Sequence, residues 1–278
     1  MATEVYKQGW TQDDVAWDKF DPAKAPPWLV DAIKSAALIE YNAPDYVGYL
    51  KRIFPEDHTE IEQWGREESQ HGRVLGRWAE MADPSFKLEE TFARFRSGYR
   101  PPHFGGNENE SVRGSRRGEI IARCVVESGT SSYYTAIKDA TDEPVLKEIA
   151  GRIAADEYRH YKMFFAWQKK QSDPELPLWR RLAVAFGRVS ESGDDESAYA
   201  YYCATVPAEQ AAAKPYDRAA ASRKVFRVLT LIYRRSHVQK LTQMVVKAAG
   251  ANPQGRLAKI AAAAVWRMLQ IRSAGTTL

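Results

Sequence analysis

Two tetrads of the form Glu-x-x-His, Glu68-Ser-Gln-His71 and Glu157-Tyr-Arg-His160, carry the side chains of this sequence best suited to chemistry. On a helix, positions three apart share a face, so each tetrad can aim one carboxylate and one imidazole at the same point. Oxygen and nitrogen donors in that combination suit iron or manganese. One such tetrad arises often by chance, and a pair alone defines no site. The spacing of two further glutamates makes the case. Glu40 precedes Glu68 by 28 residues, with the midpoint at position 54 beside Pro55. Glu127 precedes Glu157 by 30 residues, with the midpoint at 142 in the break between Thr141 and Pro144. In an antiparallel helix pair, residues equidistant from the turn lie at one height. Each hairpin therefore sets a lone glutamate opposite a Glu-x-x-His, roughly 20 Å from its turn.

The elements that must position these residues can be read from the breakers. Pro26-Pro27 closes an irregular N-terminal arm, and a helix is expected over 28–54, kinked at Pro44 and ended by Pro55. A second helix runs from Asp57 or Thr59 to about Ala82, before Asp83-Pro84. Residues 84–114, with Pro101-Pro102, Gly105-Gly106 and Gly114, read as a long crossover holding a short helix near 89–95. A third helix spans about 115–140. Thr141 is the expected N-cap of a fourth, with Glu143-Pro144 in its first turn and an end near Gln171. Helices are expected at about 177–192, 195–213, 216–249 and 253–272, with breaks at Gly193, Pro215 and Gly250 to Pro253. No segment alternates with period two, so the chain reads as all-α. The expected units are an arm at 1–26, a four-helix bundle core at 27–172 and additional helices packed on it at 173–278.

The flanks of the lone glutamates favour metal over solvent. Ala36-Ala37-Leu38-Ile39 precedes Glu40, and Cys124-Val125-Val126 precedes Glu127. A carboxylate in such a setting is costly to ionise without compensation, and a cation supplies it. One Glu from each of two helices, with a Glu-x-x-His from each of the other two, is the ligand set of ferritin-like di-metal carboxylate bundles. The crossover at 84–114 is long enough to give the two hairpins the directions such a bundle needs.

The motifs also resemble one family. Arg66-Glu67-Glu68-Ser69-Gln70-His71-Gly72 is similar to the Glu-Glu-Asn-Arg-His-Gly signature of soluble acyl-(acyl carrier protein) desaturases. Ala154-Ala155-Asp156-Glu157-Tyr158-Arg159-His160 resembles their Ala-Ala-Asp-Glu-Lys-Arg-His segment, and Glu127-Ser128-Gly129-Thr130 their Glu-Arg-Ala-Thr. Glu40, Pro44 and Tyr46 resemble their Glu-Ala-Leu-Pro-Thr-Tyr with one residue inserted. The resemblance covers about 36–168. It implies two iron ions held by Glu40, Glu68, His71, Glu127, Glu157 and His160, with Glu68 and Glu157 bridging. It implies Thr130 near the metals, where its hydroxyl could relay a proton. It further implies oxygen-dependent removal of hydrogen from an acyl chain, free or bound to a carrier protein, with electrons from a ferredoxin-like donor. Manganese in one position stays open. Gln70 stands where the family has Arg, so the surrounding hydrogen bonds are expected to differ. Asp156 and Glu67, directly before the bridging glutamates, are candidate acceptors for the imidazole N–H groups.

Other chemistries are less well served. An N-oxygenase of this type usually adds a histidine one turn before the second tetrad, where this chain has Ile153. A rubrerythrin would carry a CxxC module, and a minimal ferritin subunit would lack the long C-terminal third. Tyr133, Tyr134, Tyr158 and Tyr161 lie near the ligands in sequence and read chiefly as packing, with a radical role as the alternative. His58, His103 and His237 lack partners at ligand spacing and read as loop or surface residues.

Composition bounds the rest. Of 278 residues, 44% are hydrophobic and 27% charged, ordinary values for a globular chain. Cys124 and Cys203 form neither a disulfide framework nor a zinc site. Neither a leader peptide nor an apolar run of about 18 residues is evident, so a cytoplasmic protein is expected. The net charge of +4 is uneven, since residues 215–278 hold twelve Lys or Arg and one acid, leaving −7 elsewhere. The basic face of 216–272 points to an acidic protein such as acyl carrier protein or to peripheral contact with an anionic membrane. No nucleic-acid reading motif accompanies the charge. A second copy of the chain is another candidate partner.

Overall fold

Prolines and side-chain caps cut the chain into helices, and no strand occurs among the described residues. The computed structural model describes residues 9–99, 110–191 and 195–275. His103, Pro101-Pro102, Gly105-Gly106 and Gly193 lie outside them.

The first expected helix is two. α1 (Pro27–Tyr41) and α2 (Ala43–Ile53) meet at Asn42, because Pro44 starts a new helix rather than kinking an old one. α3 (His58–Ala82) returns antiparallel to α1 and packs along it. Gly72 permits the close approach: a Cβ there would lie 2.6 Å from the Tyr41 backbone nitrogen. The contact sits one residue from His71 and one from Glu40, so it also sets how near those two side chains come. α4 (Leu88–Gly98) lies in the crossover.

α5 (Arg116–Ala140) and α6 (Pro144–Lys170) form the second hairpin, packed along most of its length. The cap of α6 corrects the sequence reading. Glu143, not Thr141, caps it, its carboxylate accepting from the Val145 and Leu146 amides. Thr141 instead ends α5, and its hydroxyl accepts from the Glu143 amide. Glu143 is fully buried yet satisfied, because Trp78 and the Asp21 amide also donate to it.

α1, α3, α5 and α6 together make a helical bundle with apolar packing at both ends. One end holds Leu38, Leu75, Trp78, Ile137, Ile149 and Ile153, the other Leu50, Phe54, Ile61, Cys124 and Phe164. The N-terminal arm is described from Gly9. It runs antiparallel to α6, tied by Trp10 to Asp156, Ala16 to Glu148 and Asp21 to Glu143. Arg77 also stacks over the Trp17 ring at 4.2 Å.

The C-terminal third packs on the bundle. α7 (Leu178–Ser190) and α10 (Arg235–Ala248) lie on α5, while α8 (Asp195–Thr205) lies on α1. α9 (Arg218–Ile232) packs on α8, and α11 (Arg256–Arg272) is the outer layer on α9 and α10. Two expected lengths are corrected. The helix from 195 ends at Thr205 ahead of Pro207, and the span 216–249 breaks at Tyr233-Arg234, where the backbone is extended. No Gly or Pro marks that break. It is held by His237, whose Nδ1 accepts from the Arg234 amide while Nε2 faces Asp139 at 3.0 Å. His237 is therefore buried and bonded, against its reading as a surface residue; His58 is exposed as expected.

No helix among the described residues is long and apolar enough to cross a membrane. Cys124 and Cys203 are free and buried.

Candidate metal centre

The helix register brings Glu40 from α1, Glu68 and His71 from α3, Glu127 from α5, and Glu157 and His160 from α6 into one buried cluster between the two apolar ends. None of the six is more than 7% exposed. His71 Nδ1 lies 3.1 Å from Glu157 Oε1 and 4.0 Å from Glu40 Oε2. His160 Nδ1 lies 3.0 Å from Glu68 Oε1, 3.5 Å from Glu127 Oε2 and 3.8 Å from Glu157 Oε2.

The donor atoms form two overlapping sets. One joins Glu40, Glu68, His71 and Glu157; the other joins Glu68, Glu127, Glu157 and His160. Within each, the atoms lie within 4.8 Å of one another, a spacing at which they could hold a metal ion. Glu68 and Glu157 belong to both.

Orphaned atoms test the fit. Glu68 Oε1, both Glu127 oxygens, Glu157 Oε1 and the Nδ1 atoms of His71 and His160 are buried without a hydrogen-bond partner. Buried polar atoms are rarely left so, and all six belong to residues of these two sets. Four carboxylates also balance two divalent cations in charge. The residues present therefore fit a dinuclear metal group, and the donor set suits iron or manganese.

The outward face of each imidazole is bound crosswise. His71 on α3 points Nε2 at Asp156 on α6, 3.1 Å away, and His160 on α6 points Nε2 at Glu67 on α3, 2.7 Å away. Each acceptor thus precedes a site glutamate on one helix and holds the histidine of the other. With Nε2–H donating to these carboxylates, Nδ1 is the nitrogen left to a metal once its own proton is displaced. Arg159 bonds Asp156 and lies 3.6 Å from Glu67, bridging the two acceptors. Gln63 donates to Glu67 at 2.7 Å. Gln70 uses its amide to hold the Trp10 carbonyl, a bond that ties the arm over the site.

Electrostatics in the metal-free cluster follow from burial. Burial, then the charges of Glu68 and Glu157, raises Glu40 well above the carboxylate range. Burial likewise raises Glu127. Burial would also raise Glu157, but the facing His160 and His71 outweigh it and hold it far below its ordinary value. Burial opposes charge on His71, yet Asp156 and Glu157 prevail and push it to about 9.

Comparison with family models, with curated proteins and with solved structures finds no match to this chain.

Thr130 donates its hydroxyl to Glu157 Oε2 at 2.6 Å, and Tyr134 donates to Glu40 Oε1 at 2.6 Å. Of the four tyrosines near the tetrads, Tyr134 alone bonds a site carboxylate. Tyr133 packs edge-on against it, Tyr158 is exposed, and Tyr161 donates to the Met244 carbonyl. Tyr134 follows Glu127 by seven residues, two helical turns, so its face was legible. Trp10 was not: its indole donates to Asp156 at 2.7 Å across 146 residues of sequence.

Asp156→Ala is expected to weaken metal binding about 10–100-fold, because His71 loses the partner that sets its tautomer and orientation. Competition with a chromophoric chelator measures the change. Unaltered affinity would deny Asp156 a positioning role.

Proposed function

We propose that the six residues hold two iron ions and that the protein uses them to activate oxygen, in a ferritin-like fold, for oxidation of an acyl chain in the manner of a desaturase. The observation that carries this reading is the pair of donor sets sharing Glu68 and Glu157, with crossed carboxylates behind both imidazoles. It agrees with the resemblance of the four motifs in order.

Bound in the reduced state, two irons supply the electrons and Lewis acidity that make oxygen reactive. The chain's own residues do the rest. Asp156 and Glu67 orient the histidines. Thr130, already donating to Glu157, is placed to pass a proton through its hydroxyl. Tyr134 holds Glu40 in one orientation. Trp10 and the arm cover the Asp156 side, and the apolar packing above and below keeps water from a reactive centre. A ferredoxin-like protein is the proposed electron donor, and manganese in one position is compatible with the same donors.

Ile153 is fully buried in apolar packing one turn before Glu157, so that position contributes no extra ligand of the N-oxygenase kind. Iron storage predicts a different behaviour. The iron-loaded protein with reduced ferredoxin should consume oxygen faster when carrier-bound acyl chains are present, and mass spectrometry should find product two hydrogens lighter. Rapid mineralisation of iron over many turnovers without organic substrate would instead mark a storage protein. Thr130→Val should lower turnover about a hundredfold with metal content unchanged. Equal turnover in that variant removes the proton relay.

A further inference from the structure

The segment 235–278 contains seven Lys or Arg and no acid. None of the seven has an ion-pair partner among the described residues. Three rest on aromatic rings instead: Arg235 on Trp266, Lys247 on Phe165 and Arg272 on Phe226.

α11 is amphipathic in an unusual sense. Its inner face buries Ala258, Ala261 and Leu269 against the underlying helices. Its outer face carries Ile260 at 68% exposure, Ile271 at 63% and Leu257 at 38%. At 100° per residue, Arg256 and Arg267 fall within about 40° of Ile260, and Lys259 lies on the flank toward α10. The chain therefore presents bulky aliphatic side chains on the exposed face of α11, amid cations that have no ion-pair partner among the described residues. Trp179, 71% exposed at the start of α7, belongs to the same end of the hairpin, since Arg181 two residues on lies against Gly250 in the α10–α11 turn.

We propose that the α10–α11 hairpin docks the protein on an anionic membrane surface. Ile260, Ile271 and Leu257 enter the boundary of the acyl region, while Arg256, Lys259 and Arg267 meet lipid phosphates. Charge decides between occupants. A second copy would bring like charges together across the same face. An acidic folded protein would answer the cations but leave Ile260 and Ile271, 68% and 63% exposed, without apolar cover, whereas an anionic bilayer answers both. The inference is independent of the chemistry proposed above.

Co-sedimentation of the full chain with vesicles is the test. The protein should bind phosphatidylcholine vesicles containing phosphatidylglycerol, with affinity falling as salt rises, and leave pure phosphatidylcholine vesicles unbound. Ile260→Gln with Ile271→Gln should weaken binding at least about tenfold. Arg256→Gln, Lys259→Gln and Arg267→Gln together should do likewise and flatten the salt dependence. These positions are exposed, and unchanged thermal unfolding checks each variant's fold. Failure of the wild type to bind the anionic vesicles overturns the proposal. So does full binding by the isoleucine variant, and so does equally tight capture by soluble polyglutamate, which would assign the face to an acidic protein.

Discussion

Glu157→Ala is expected to remove both metal ions, while Glu40→Ala removes only one. Glu157 belongs to both donor sets; Glu40 belongs to one, and its loss leaves Glu68, Glu127, Glu157 and His160 together. Losing Glu157 also leaves Thr130 without its acceptor and takes from both imidazoles the carboxylate that each faces. Three carboxylates then confront two dications in a dry site, an imbalance that burial makes severe. Metal analysis of purified protein should read about two ions per chain in the wild type, one in Glu40→Ala and essentially none in Glu157→Ala. Glu157→Gln, which keeps the volume and removes the charge, guards against misfolding and should also lose both. Wild-type metal content in the Glu157 variants would sink the assignment.

The second large effect is of pH, and it falls on the metal-free protein. In the metal-free cluster His71 is raised from 6.5 to about 9, and Glu40 and Glu127 are raised well above 4.5. A group whose folded value is raised stabilises fully below its unfolded value and loses that contribution as pH climbs through the folded one. For His71 that window runs from 6.5 to about 9. Glu157, depressed by the histidines, acts oppositely and loses its contribution only in acid, below 4.5. The Tm of metal-free protein should therefore fall between pH 6.5 and 9. Metal binding must expel the same protons, so affinity should rise across that range and the loaded protein should hold its Tm. At pH 7 metal uptake should release protons, that of His71 among them, because its raised value of about 9 keeps it protonated there. Calorimetry in buffers of differing ionisation enthalpy counts them. A metal-free Tm that rises through this window, or loading without proton release, would contradict the account.

Much of the cluster was legible because its information is local. A Glu-x-x-His names two side chains on one face, and equal distances from a turn set two residues at one height. Helix periodicity with a Pro at each break then suffices to bring Glu40 to Glu68 and Glu127 to Glu157. The acceptors Glu67 and Asp156 were legible as neighbours of ligands, yet their crossing was not. Which histidine each serves depends on how α3 faces α6, a relation between hairpins.

Where backbone chemistry and tertiary contact compete, the second wins. The break at Tyr233-Arg234 has no Gly or Pro; it exists because His237 is bonded to both Arg234 and Asp139 of another helix. Thr141 is a good N-cap by type, but Glu143 takes the role because Trp78 and Asp21 converge on its carboxylate. Trp10 sits in an arm without periodicity, and its place over Asp156 follows from the path of that arm along α6.

The sequence by itself determined the all-helical class, the two hairpins and the six side chains that share a height, since each rests on a repeat of 3.6 residues and on breakers read in place. The tertiary structure alone decided the crossed support of the imidazoles, the arm that closes over them and the exposed face of α11. These are contacts between segments far apart in the chain, chosen by packing and charge, which no local spacing encodes.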